Sequence, residues 1–284
     1  MFGHHDDPLY GVGWEGDEDR SDVKSVCGDY PAVMSFDLGH IELEREKSLD
    51  NVPFRKIRQE TINQYKRGGV VSFSWHLDNP LTGKDAWDVS DTTVVASILP
   101  GGVHHAKFIS WLDAVAAFMN TLETEEGTKI PVIFRPWHEH TGSWFWWGQN
   151  LCTADQYKAL WRMTHDRMHA RGVKNLLYAY SPGSEPKDST AYLERYPGDD
   201  IIDLVGFDTY QFDRTQYMEQ LDKSLAILTE VGKAHDKPIA ITETGFEAIP
   251  DSVWWSQTLY PVISKYPISY VLVWRNARER VNHY

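Results

Sequence analysis

Eight short apolar segments recur along the 284-residue chain, with helix-patterned stretches between them. They are Phe2–His4, Ala32–Phe36, Val70–Trp75, Pro131–Phe134, Leu176–Tyr180, Ile202–Phe207, Ile239–Thr242 and Tyr270–Val273. Each is brief and ends at polar or turn-forming residues, the pattern of a strand buried on both faces. Helical spacing fills the gaps: Phe54, Ile57, Thr61 and Tyr65 share one face, as do Phe108, Leu112, Val115 and Met119. Tyr157, Leu160, Trp161, Thr164 and Met168 repeat the spacing before Gly172, and Leu221, Leu225, Leu228 and Gly232 repeat it again. Strand alternating with helix implies parallel strands joined by right-handed crossovers, and eight is the strand number of the (β/α)8 TIM barrel. A chain of this length with 42% hydrophobic residues can bury one large core, so a single domain over residues 1–284 is expected. After Trp274 only ten residues remain, and the last helix is expected to be truncated or absent.

In such a barrel every strand's C-terminal end opens on one mouth, so His76, Glu139, Tyr210, Glu243 and Trp274 are predicted to converge. The stretch Ile130–Gly148 is the densest in chemistry. Its strand ends at Arg135, and His138, Glu139 and His140 follow, then Trp144, Trp146 and Trp147. A tryptophan-rich core corner holding an Arg–Glu ion pair would be the bland account. The segment Lys237–Gly245 answers it by delivering a second carboxylate, Glu243, at a strand end. Either glutamate alone reads as a helix cap or a surface ion pair. Two together beside tryptophans suggest glycoside hydrolysis, in which one carboxyl protonates the leaving oxygen and the other meets the anomeric carbon.

Composition narrows the partner. The formal charge of −13 disfavours nucleic acid and anionic membrane, and twelve tryptophans with fourteen tyrosines suit the C–H faces of neutral sugars. Two cysteines, Cys27 and Cys152, make no disulfide framework, and their pairing stays open. No apolar run reaches membrane-spanning length, and Met1–Asp7 lacks the pattern of a signal peptide. His4–His5, His104–His105 and His138–Glu139–His140 invite a metal reading, but adjacent strand residues face opposite ways and no His-Glu-x-x-His spacing occurs, so neither metal nor cofactor is expected.

The run Arg135-Pro-Trp-His-Glu-His-Thr-Gly-Ser-Trp-Phe-Trp-Trp-Gly148, with Gly-Phe-Asp-Thr-Tyr210, Thr-Glu-Thr-Gly245 and Val-Trp-Arg-Asn276 in order, resembles glycoside hydrolase family 26, dominated by β-mannanases. The resemblance runs essentially end to end. It implies Glu139 as acid/base and Glu243 as nucleophile, with Tyr210 hydrogen-bonded to the nucleophile and with His138 and Arg135 orienting these groups. It places His76 and Trp274 around the sugar under attack, Trp274 as stacking floor, and Arg275 at the next sugar. Trp144, Trp146 and Trp147 cannot all face substrate, and Trp87 reads as a loop anchor. The expected activity is endo-hydrolysis of β-1,4-mannan, galactomannan or glucomannan by a monomer that is secreted, periplasmic or at the cell surface. β-1,3-Xylan or mixed-linkage β-glucan hydrolysis, or a non-catalytic carbohydrate-binding barrel, are the alternatives. Direct attack by Glu243 would require carboxyls about 5–5.5 Å apart and retention of configuration.

Overall fold

The protein, described by a computed structural model over residues 1–212 and 216–278, is built on a closed barrel of eight parallel strands. These are β1 (Phe2–His5), β2 (Val33–Asp37), β3 (Val70–Ser74), β4 (Val132–Arg135), β5 (Leu176–Tyr180), β6 (Leu204–Tyr210), β7 (Ile239–Gly245) and β8 (Val271–Val273). Sequential strands are neighbours throughout, and β1 closes the ring by pairing with both β2 and β8. Each predicted segment supplies one strand, so the (β/α)8 expectation holds. The return paths include the helices Phe54–Lys66, His105–Asn120, Ala154–Ala170 and Tyr217–Ala234, whose predicted faces are largely buried. A Thr153–Gln156 capping box starts the third of these, satisfying its first free N–H groups. The expectation about the last helix concerns the stretch after Trp274, of which residues 279–284 lie outside the described residues.

Strand alternation sorts the core into two layers. Val33, Ile133, Ala179, Leu204, Ala240 and Leu272 form a cluster of their own with Tyr270. Their alternation partners Met34, Val132, Phe134, Val205, Ile241 and Val271 belong to the larger cluster beneath the helices. The smaller cluster therefore fills the barrel interior, and two residues further along β2, β4, β6 and β8 the same parity brings Ser35, Arg135, Gly206 and Trp274 inward.

One strand breaks this rhythm. β6 and β7 pair as Phe207↔Ile241 and then as Asp208↔Glu243, while β8 and β7 pair as Val271↔Ile241 and then as Val273↔Thr244. Both neighbours thus count one extra residue in β7, at Thr242. Thr242 points inward, its hydroxyl bonding Asp208, and Glu243 points inward directly after it; Thr244 turns out to meet the hydroxyl of Tyr217. Glu243 and Tyr210, expected just past strand ends, lie within the β6–β7 ladder, which this bulge prolongs to Gly245.

Candidate active site

At the C-terminal mouth of the barrel lies a cleft of about 690 Å³, bordered by His76, Trp87, Glu139, Tyr210, Glu243 and Trp274 among others. Glu243 is buried between two donors, with the hydroxyl of Tyr210 on Oε1 and Arg135 Nη2 at 2.5 Å on Oε2. The second amino group of Arg135 donates to Asp208 Oδ2 at 2.6 Å. Arg135 is 1% exposed, and burying its charge is tolerable because two carboxylates meet it. Asp208 Oδ1 accepts from Ser181 and Thr242, each at 2.7 Å. Burial pushes the Asp208 carboxyl up to about 7, against the pull of Arg135 and with the push of Glu243.

Glu139 stands on a different backbone. Trp137 (φ 56°) and Glu139 (φ 53°) both take the left-handed region, unusual for residues with side chains and found where surrounding structure over-determines the chain. The supports are visible: Glu139 N donates to Ser181 O at 2.8 Å, the hydroxyl of Tyr157 to Trp137 O at 2.6 Å, and Trp147 Nε1 to His138 O at 2.8 Å. Glu139 Oε2 accepts from Trp144 Nε1 at 2.6 Å. Its carboxyl is held well above the usual range, by burial first and then by the charges of Glu243 and Asp208. One carboxylate oxygen each of Glu139, Asp208 and Glu243 lies within 4.8 Å of the others.

Two groupings could in principle hold a cation, this one and His5–Asp6–Asp50. In the first, Arg135 already occupies the space between Asp208 and Glu243. In the second, Arg275 Nε stands 3.5 Å from Asp50.

The remaining predicted residues divide. His76 and Trp274 line the cleft, and Trp274 is backed by His5, stacked at 4.0 Å. Of the three neighbouring tryptophans, Trp146 and Trp147 are fully buried and Trp144 is 40% exposed at the cleft. His138 is buried and bonds His76, touching neither glutamate by a hydrogen bond. Arg275 pairs with Asp50 and does not border the cleft. Trp87 departs from its loop-anchor reading, standing half exposed on the cleft wall and stacked on His76 at 5.4 Å. Asp208 went unread, although it shares a strand face with Tyr210 two residues on, a signal present in Gly-Phe-Asp-Thr-Tyr. Both cysteines are free, Cys27 exposed and Cys152 buried.

Against this geometry the sequence comparison is decisive: the profile of glycosyl hydrolase family 26 matches residues 1–275. The chain belongs to glycosyl hydrolase family 26. Among solved family 26 structures, a β-mannanase from Bacteroides ovatus superposes with a TM-score of 0.99 at 63% identity, covering 100% of this chain and 83% of that one. A modular endo-β-1,4-mannanase from Cellulomonas fimi gives 0.89 at 31% identity, over 100% of this chain and 66% of the other. A mannan endo-1,4-β-mannosidase of Bifidobacterium adolescentis is 39% identical over 80% of this chain. The family 26 chain described here spans only 24% of that protein's length.

Proposed function

We propose that this family 26 barrel is a retaining endo-β-1,4-mannanase in which Glu139 is the acid/base and Glu243 the nucleophile. The carrying observation is the closeness of their carboxylate oxygens, within 4.8 Å. Inverting hydrolases hold their carboxyls roughly 6.5–9.5 Å apart to admit a water and retaining ones about 5–5.5 Å, and so close an approach supports retention. Mannan as substrate rests on the activities named for the Bifidobacterium, Bacteroides and Cellulomonas proteins.

The chemistry follows from the hydrogen bonds. Arg135 and Tyr210 hold Glu243 with both oxygens engaged, aimed at the anomeric carbon. Glu139, its carboxyl raised, carries the proton that releases the leaving sugar. When the Glu243–sugar bond forms, its negative charge is consumed, one of the charges that held the Glu139 proton disappears, and Glu139 can take a proton from the incoming water. None of these bond changes calls for a metal or cofactor. Trp274, braced by His5, offers a flat apolar floor to the sugar under attack. Arg275, paired with Asp50 beside that floor, is the residue we assign to the next sugar, and His138 acts through His76.

The two glutamates and the surrounding rings come from one chain, which supports a monomer and a single catalytic domain. No helix among the described residues is long and apolar enough to cross a membrane. A polymeric substrate cannot enter a cell intact, which supports action outside the cytoplasm, by secreted, periplasmic or surface-held enzyme. Reducing-sugar release from galactomannan, glucomannan, β-1,3-xylan and mixed-linkage β-glucan tests the substrate, and proton NMR of the first product tests the mechanism. Mannan cleavage with an initial β-anomer is expected. Cleavage of xylan or glucan alone would overturn the substrate, and an initial α-anomer would overturn the role of Glu243.

A further inference from the structure

Asp37, the inward residue ending β2, is buried and accepts four hydrogen bonds. Gly39 N at 2.7 Å and His76 N at 3.2 Å reach Oδ1. Ser74 Oγ at 2.6 Å and His76 Nδ1 at 2.7 Å reach Oδ2. A carboxylate only accepts, so Nδ1 of His76 carries a proton and its Nε2 is the end left to face elsewhere. That Nε2 lies 2.9 Å from Nε2 of His138, the residue before Glu139. His138 Nδ1 has no hydrogen-bond partner among the described residues, so the chain of contacts ends there.

We propose that Asp37 is a positioning residue for hydrolysis: it anchors a chain, Asp37 to His76 to His138, that crosses from β2 to the loop bearing Glu139 and holds the imidazole wall of the cleft in one protonation pattern. This rests on the hydrolase reading of the site.

The rings explain why the wall matters. His76 stacks on Trp87 at 5.4 Å with an 11° tilt, and packs edge-on against Phe145 at 5.3 Å and Trp274 at 6.0 Å. Three cleft-lining rings therefore take their positions from one imidazole. Displacing such a group by about 1 Å can cost on the order of 100-fold in rate. The charges facing His76 are Asp37 and Glu243, which favour its imidazolium, and Arg135, which opposes it together with burial. His5 and His138, also near, are kept neutral by burial. Asp37 itself stays ionised because His76 and its other donors outweigh the cost of burial.

Asp37→Asn keeps the shape and one acceptor oxygen but removes the charge. With mannopentaose as substrate, kcat should fall by about 10-fold or more while KM changes by no more than about threefold. His138→Gln should also lose rate, and the double variant should lose no more than the worse single, because both cut one chain. Fully additive losses, or an Asp37→Asn enzyme with unchanged kcat, would overturn the proposal. A second readout needs neither a variant nor substrate, and so is independent of the hydrolase reading. Imidazole 15N spectra of the wild-type protein should show His76 Nδ1 protonated throughout about pH 5 to 8. A His76 bearing its proton on Nε2 alone would refute the anchor outright.

Discussion

The indole Nε1 of Trp144 donates to Glu139 Oε2 at 2.6 Å, so a residue five positions along the same loop touches the proposed acid/base directly. That bond favours the ionised carboxylate and works against burial and the charges of Glu243 and Asp208, which raise the Glu139 carboxyl. Removing it in Trp144→Phe should raise Glu139 further. Because the protonated form releases the leaving sugar in the proposed mechanism, the alkaline limb of kcat/KM should move to higher pH. The optimum value should fall by about 10-fold for one lost charge-assisted bond. A limb moving to lower pH would contradict the assignment of Glu139 as the acid.

Arg135 sits 1% exposed between two carboxylates. Arg135→Met leaves Asp208 and Glu243 buried without their counter-charge, a change that costs about 3–5 kcal/mol when a buried pair is broken. Urea unfolding at neutral pH measures it, and a loss under about 1 kcal/mol would show that the pair is not needed for the fold.

Tyr210→Phe deletes the hydroxyl that donates to Glu243 Oε1 and leaves the ring in place. A hydrogen bond to a charged group contributes about 1.5–3 kcal/mol, which converts to a kcat loss of roughly 10- to 100-fold. The melting temperature should stay near that of the wild type. Unchanged kcat would mean that Arg135 alone orients Glu243.

The two glutamates should fail differently. Glu243→Ala should be inactive on every substrate. Glu139→Ala should still form the glycosyl-enzyme from an aryl mannoside whose leaving group needs no proton, and added azide should speed its turnover and give the β-mannosyl azide. An α-azide, or azide rescue in Glu243→Ala with retention, would reverse the roles.

Gly206 faces the barrel interior, where a Cβ would lie 2.6 Å from Thr242 Cγ2 and 2.8 Å from its hydroxyl. Gly206→Ala should therefore destabilise by about 1–3 kcal/mol through overpacking, read as a lower urea midpoint at constant slope. A midpoint equal to wild type would show that Thr242 can turn aside freely.

The eight strands and the two glutamates were legible because both follow from short-range regularities: buried runs of strand length, and polar residues where those runs stop. What escaped the sequence depends on pairs set across strands. Asp37 gains its meaning only from Ser74 and His76, and Asp208 from Arg135 and Ser181, contacts 27 to 73 residues apart along the chain. Trp87 was misjudged for a related reason. Which way a loop side chain leans depends on a neighbour such as His76 that no local pattern announces.

The extra residue at Thr242 has a consequence beyond register. Ala240 and Thr242 already point into the barrel, so simple alternation would turn Glu243 outward, into the apolar layer beneath the helices. Glu243 reaches the cleft by a change of parity. Deleting Thr242 would restore plain alternation with Glu243 still inward after Ile241, but would remove the hydroxyl that bonds Asp208. The extra residue thus lets one strand send two consecutive polar side chains into the barrel, Thr242 to hold Asp208 and Glu243 to meet Arg135 and Tyr210.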